Sequence, residues 1–181
     1  MNLFTKSTLS ALLILGGGCV APVKNYESVA ASPTSATITF SKGYVSSAFK
    51  TGSQAYFLAN AGNCADLRHA GSFLWTSPDS RSLRVPGNER VTVVAGTNFD
   101  NVTGIGNAPG GFTVEMQKQG CVGAATFLAE PGRSYAVTQQ ITAPACRMVV
   151  IDIASRAAAK SLRTSDGAAC DVHVRTLTEY R

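Results

Sequence analysis

A two-residue alternation, recurring in short runs, constrains this chain more than any other feature. Ala36-Thr37-Ile38-Thr39-Phe40 sets Ile38 and Phe40 against Thr37 and Thr39. Phe112-Thr113-Val114-Glu115-Met116-Gln117 repeats the pattern. Successive side chains of a strand point to opposite faces, so this period reads as β-strand with one face buried. Gln54 to Ala59, Ser72 to Trp75, Leu83 to Val85, Arg90 to Ala95, Ala125 to Ala129 and Ser134 to Thr138 read as further strands. Arg147 to Ile153 is nearly continuously apolar, which suits a strand buried on both faces. Cys170 to Leu177 alternates once more and is expected as a last strand.

Turn residues separate these runs. Pro86-Gly87-Asn88 precedes one strand, and Glu130-Pro131-Gly132-Arg133 joins two as an expected hairpin. Asn98 to Gly111, rich in Gly and Asn, reads as a long loop. Ala154, Ala157, Ala158 and Ala159 favour one short helix near 154–163. Helix between strands is too scarce for a parallel α/β sheet. The expected fold is all-β, an antiparallel β-sandwich (Ig-like or similar) over residues 36–181.

The N-terminus has a different character. Lys6 supplies a positive start, and Leu9 to Leu15 an apolar run shorter than the ~20 residues that span a bilayer core. Gly16-Gly17-Gly18 then precede Cys19. Residues 1–18 read as a lipoprotein signal peptide, and Cys19 as the lipid-bearing first residue of the mature chain. Gly17, Gly18 and Cys19 fit the usual cleavage box, while Gly16 stands where Leu is usual. The rival is ordinary signal-peptidase cleavage after Ala21. Residues 19–35, with Pro22, Pro33 and many small residues, read as a flexible tether.

With Cys19 lipidated, Cys64, Cys121, Cys146 and Cys170 remain. An even number in an exported chain indicates disulfides, and four allow three connectivities. The assignment taken is Cys121–Cys146 with Cys64–Cys170, since the first closes a loop around the Pro131-Gly132 turn and ties it to the apolar strand. The whole chain holds 16 Lys and Arg against 11 Asp and Glu; without Lys6 the mature chain keeps 15 against 11, a net +4. These charges are scattered, unlike the clustered stripe of a nucleic-acid binder.

The chain resembles small exported Gram-negative bacterial lipoproteins of unknown function with a single β-sandwich. The resemblance lies in the lipobox, the spacer, the pattern Phe127-x-x-x-Pro131-Gly132-x-x-Tyr135, and Cys146 before the apolar strand Met148 to Ile153. It covers roughly residues 36 to 155. It implies compartment and fold and no activity. Val20 follows Cys19, where Asp commonly retains such proteins in the inner membrane, so the resemblance implies sorting to the outer membrane, facing the periplasm or the surface.

No convergent catalytic set is present. G-x-S-x-G is absent, and Ser47-Ala48-Phe49-Lys50 overlaps Lys50-Thr51-Gly52 on one lysine that cannot serve both motifs. Asn101-Val102-Thr103 matches a glycosylation sequon by chance, and Gly104-Ile105-Gly106 lacks the third glycine of a nucleotide loop. One constellation has chemistry. Asp66 and His69 follow Cys64, and Asp171 and His173 follow Cys170. A Cys64–Cys170 bridge would gather these four as candidate ligands for a divalent metal. Trp75 is a core residue or a glycan-stacking platform. The expected function is a non-enzymatic envelope lipoprotein without a cofactor, held to a membrane by its lipid and acting as a structural or interaction module on an envelope partner. The alternatives are a periplasmic metal- or small-ligand-binding module and a cell-wall-acting enzyme inhibitor.

Overall fold

A computed structural model of the chain describes residues 24–43, 50–60, 64–74, 76–108, 111–142, 145–165 and 167. Among these, ten strands form two packed sheets. In chain order they are β1 (Ser35–Ser41), β2 (Lys50–Asn60), β3 (Arg68–Phe73), β4 (Ser80–Pro86) and β5 (Glu89–Ala108). Then come β6 (Gly111–Ala129), β7 (Ser134–Thr142), β8 (Ala145–Asp152), β9 (Ala157–Ala158) and β10 (Arg163–Ser165). One sheet has the order β4-β1-β7-β8-β9 and the other β10-β6-β5-β2-β3. The protein is therefore a β-sandwich, as its alternation predicts. Pairing is antiparallel except between β1 and β7, which run parallel.

Period-two patterning places the core. Ile38, Phe40, Val85, Tyr135, Val137, Met148 and Val150 from the first sheet meet Tyr56, Leu58, Phe73, Val91, Val93, Ala95 and Phe127 from the second. The Phe40 and Tyr56 rings are 4.9 Å apart, as are those of Phe127 and Tyr135. Burying such a ring stabilises by roughly 1.5–3 kcal/mol. The alternate residues Ala55, Phe57, Val94 and Ala124 form a smaller cluster with Cys64, Leu67 and Val122. The second sheet is thus apolar on both faces along its middle.

Five expectations change. The Pro131-Gly132 turn does not close a hairpin: β6 pairs with β5 and β10, whereas β7 pairs with β1 and β8. The turn carries the chain across from one sheet to the other. Tyr135 fixes this corner, its hydroxyl accepting from Glu130 N at 2.9 Å and donating to Leu128 O at 3.4 Å. Pro86-Gly87-Asn88 is a second such corner, and the two touch. A Cβ on Gly87 would lie 2.9 Å from Pro131 Cα and 2.3 Å from Thr34 O, so only glycine fits there.

The expected loop over Asn98 to Gly111 is strand instead. β5 and β6 stay paired from Glu89↔Ala129 to Ala108↔Gly111, past the last β2 partner at Asn101. The alternating segment Phe112 to Gln117 supplies the partner that a Gly-rich run could not provide for itself. The third strand also begins earlier than expected, at Arg68, and ends at Phe73.

The expected helix near 154–163 is absent, and no α-helix occurs among the described residues. Asp152 Oδ1 accepts from Ala154 N and Ser155 N, and Arg156 has a positive φ of 55°. β9 then returns along β8, and Ala159 N donates to Val150 O. An isolated helix this short is marginal, while the turn buries Ala159 against the core.

The described part of the expected tether is docked. His69 N donates to Lys24 O, Tyr26 N donates to His69 O, and Val29 N donates to Arg84 O. Tyr26 packs against the core. Residues 24–29 thereby cover the open edges of β3 and β4, one in each sheet, which would otherwise expose unpaired backbone groups.

Cys121 of β6 and Cys146 of β8 form a disulfide between the sheets, Cα atoms 5.9 Å apart and 25 residues apart in sequence. Closing a loop of that length restricts the unfolded chain by about 3–4 kcal/mol. The double substitution C121A/C146A is expected to lower unfolding free energy by about that much in urea titration. An unchanged midpoint would show that the sandwich does not depend on this bridge.

Candidate functional site

The nominated metal set is only half visible. Asp171, His173 and Cys170 lie outside the described residues, as do Cys19, Ser47 and Trp75. Cys64 is disulfide-bonded, to neither Cys121 nor Cys146, which bond each other. Cys64 and Asp66 lie in a single 3-10 turn, Cys64–Asp66, between β2 and β3. Asp66 Oδ2 meets Arg68 Nη2 at 3.4 Å. His69 turns elsewhere: its Nε2 is 2.8 Å from Ser72 Oγ and its Nδ1 3.3 Å from Asn25 Oδ1. Its ring meets Phe57 edge-on at 5.7 Å. Nδ1 thus ties the docked N-terminal segment to β3, while Nε2 is held within β3 by Ser72. Among the described residues, no group of three or more His, Cys, Asp or Glu side chains is placed to hold a metal ion. The sequon Asn101 to Thr103 and the run Gly104 to Gly106 fall on β5.

The most organised polar cluster lies inside the sandwich. Gln54 from β2, Thr97 from β5 and Gln139 from β7 are all buried. Gln54 Nε2 donates to Gln139 Oε1 at 3.0 Å, and the Thr97 hydroxyl donates to the same oxygen. Gln139 Nε2 donates to Ala95 O at 3.1 Å. Gln54 Oε1 accepts from Gly43 N at 2.9 Å. Beside it, Gln139 N donates to the Tyr56 hydroxyl at 3.2 Å, and that hydroxyl donates to Ser41 O at 2.8 Å. The Cys121–Cys146 bridge adjoins this belt, with Cys121 Sγ 4.0 Å from Gln139 Nε2.

Each polar atom named here takes part in at least one hydrogen bond, so the belt joins the sheets through paired groups. Its members are amides, hydroxyls and backbone groups. Tyr56 alone can ionise, and burial raises its pKa above 10.0 although hydrogen bonds from Gln139 and Thr138 oppose the rise. Such a cluster has neither a nucleophile paired with a base nor an exposed acid. It fixes geometry.

The alternation reading did not single out this belt, although the signal was present. Gln139 is in phase with Tyr135 and Val137, Gln54 with Tyr56 and Leu58, and Thr97 with Val93 and Ala95. A polar residue on the inward phase of each of three strands implies a buried polar contact. Which three strands meet is a property of the fold.

No protein family, curated protein or solved structure matches this chain.

Two measurements check this account. Gln139→Ala leaves the Gln54 amide, the Thr97 hydroxyl and Ala95 O without their partner, and is expected to cost about 3 kcal/mol. Adding Gln54→Ala should cost clearly less than it does alone, because the two share one bond; strict additivity would show no coupling. The pH dependence concerns tyrosine. Burial is the first cause of the raised pKa of Tyr26, Tyr56 and Tyr135. The folded state therefore holds these protons after the unfolded chain has released them. Their contribution is full below about pH 10 and is lost as pH rises through the higher folded values. Urea midpoints should stay level up to about pH 9 and fall beyond about pH 10. A midpoint unchanged at pH 11 would contradict the buried hydroxyls.

Proposed function

We propose that this protein is a lipid-anchored envelope lipoprotein whose β-sandwich serves as a structural or interaction module. The observation that carries the reading is the Cys121–Cys146 bridge between the sheets. Structural disulfides form and persist in oxidising compartments. A sandwich stapled in this way, behind Lys6, the apolar run Leu9 to Leu15 and Cys19, suits an exported chain. The signal occupies residues 1–18, and Cys19 carries the lipid. With Val20 after Cys19, the outer membrane is the destination. The work of the domain is to hold a rigid scaffold beside that membrane for an envelope partner. The closed belt around Gln139 supports a scaffold, since it keeps the sheets in register.

Cys19 is the only lipid attachment in this reading, and no helix among the described residues is long and apolar enough to cross a membrane, so a Cys19→Ala form should leave the membrane fraction. Expressed in a Gram-negative host, the wild-type chain should sediment with outer membranes and incorporate labelled palmitate. The Cys19→Ala form should do neither. Wild-type protein released as an unacylated chain beginning after Ala21 would replace the anchor with ordinary secretion.

A further inference from the structure

The strand registers give the sandwich two unlike ends. Ser35 pairs with Pro86, Glu89 with Ala129, and Tyr135 with Asp152. The starts of β1, β5 and β7 therefore lie at one end, with the ends of β4, β6 and β8 and both Pro-Gly corners. Ser41↔Ser80, Lys50↔Asn101 and Thr142↔Ala145 mark the opposite end. From there β5 and β6 continue as a two-stranded ribbon, from Val102↔Met116 to Ala108↔Gly111. The ribbon extends roughly 20 Å past β2 at the usual strand rise.

The chain enters at the corner end. Asn25 pairs in parallel with His69, held by the hydrogen bonds of Lys24 and Tyr26 on either side. β3 starts beside Leu58 and finishes beside Gln54, so it runs away from the corners. Parallel pairing makes residues 24–26 run the same way. The described chain therefore begins, at Lys24, on the corner side of this pairing. Only Val20 to Val23 separate Lys24 from Cys19. Even fully extended, that stretch spans no more than about 18 Å. β5 alone is 20 residues long, roughly 65 Å from end to end.

Charge at the corner end is compatible with the same orientation, although Arg81 and Arg147 are exposed toward the opposite end. Lys24, Arg84, Arg90, Arg156 and Arg163 are exposed there and lie outside the ion pairs formed among the described residues. Glu27 and Glu89 are the exposed acids similarly outside them. An excess of basic side chains suits the phosphates of a lipid headgroup layer.

We propose that the domain stands on the bilayer by its corner end, with the β5–β6 ribbon directed away from the lipid. This rests on Cys19 being the lipidated residue. A free spacer of residues 19–35 would let the domain tumble at a distance; docking of residues 24–29 removes most of that freedom. The ribbon then becomes the part of the protein that reaches farthest from its membrane.

Quenching by brominated lipids tests this, since they quench only indoles close to the acyl region. Arg90→Trp and, as a second corner-end probe, Lys24→Trp are compared with Asn107→Trp on the ribbon. Each is measured as the native lipidated full chain in vesicles containing anionic lipid, with wild-type fluorescence subtracted. The corner-end indoles should lose at least twice the fraction of added fluorescence lost by the Asn107→Trp indole. Equal quenching at the two ends, stronger quenching on the ribbon, or no quenching at either end of a vesicle-bound chain overturns the orientation and leaves the anchor standing. A wild-type chain that fails to join the vesicles, like its Cys19→Ala form, removes anchor and orientation together.

Discussion

Everything in this structure depends on two sheets keeping one register across a shared interior, and Gln139 is where that register is most tightly specified. Its side chain takes bonds from Gln54 and Thr97 and gives one to Ala95 O, all across the sandwich. Apolar contacts such as Phe40 against Tyr56 supply attraction but tolerate sliding. A buried amide does not, because a shift of one residue would strand several polar groups at once. The neighbouring Cys121–Cys146 bridge fixes the same relation covalently. Gly43 reflects the crowding: a Cβ there would fall 2.0 Å from Gln139 O.

The corners explain why the chain crosses between sheets where local chemistry suggested hairpins. A Pro-Gly turn reverses direction in either case. What differs is whether the flanking strands lie side by side or face one another. Phe127 and Tyr135 both belong on the inward phase, and only a crossing lets their rings meet across the core at 4.9 Å. The Tyr135 hydroxyl then ties the corner to Leu128 and Glu130. Packing of the Gly87 corner against Pro131 couples the two crossings.

The proposed function uses this rigidity in a simple way. A lipidated scaffold needs a defined shape beside its membrane more than a reactive centre. The docked residues 24–29 convert a tether into part of the domain, and the His69 ring, nominated as a ligand, holds that segment through Asn25. The same residue thus has a structural task whatever else surrounds it.

Local pattern alone makes this chain a β-protein, since a two-residue period survives any choice of partner. The sequence also carried the pairing of Cys121 with Cys146, by a loop that closes around one turn. The anchor reading of Cys19 comes from sequence alone. The remaining assignments come from long-range contacts. Asn98 to Gly111 is strand because β6 lies beside it, and Ala154 to Ala159 is turn and strand because β8 offers a partner and the core takes Ala159. Gln54, Thr97 and Gln139 were legible one by one as inward-phase polar residues, but their meeting was not. Periodicity tells each strand which face to bury; only the competition for long-range burial and hydrogen bonds tells it which neighbour to bury that face against.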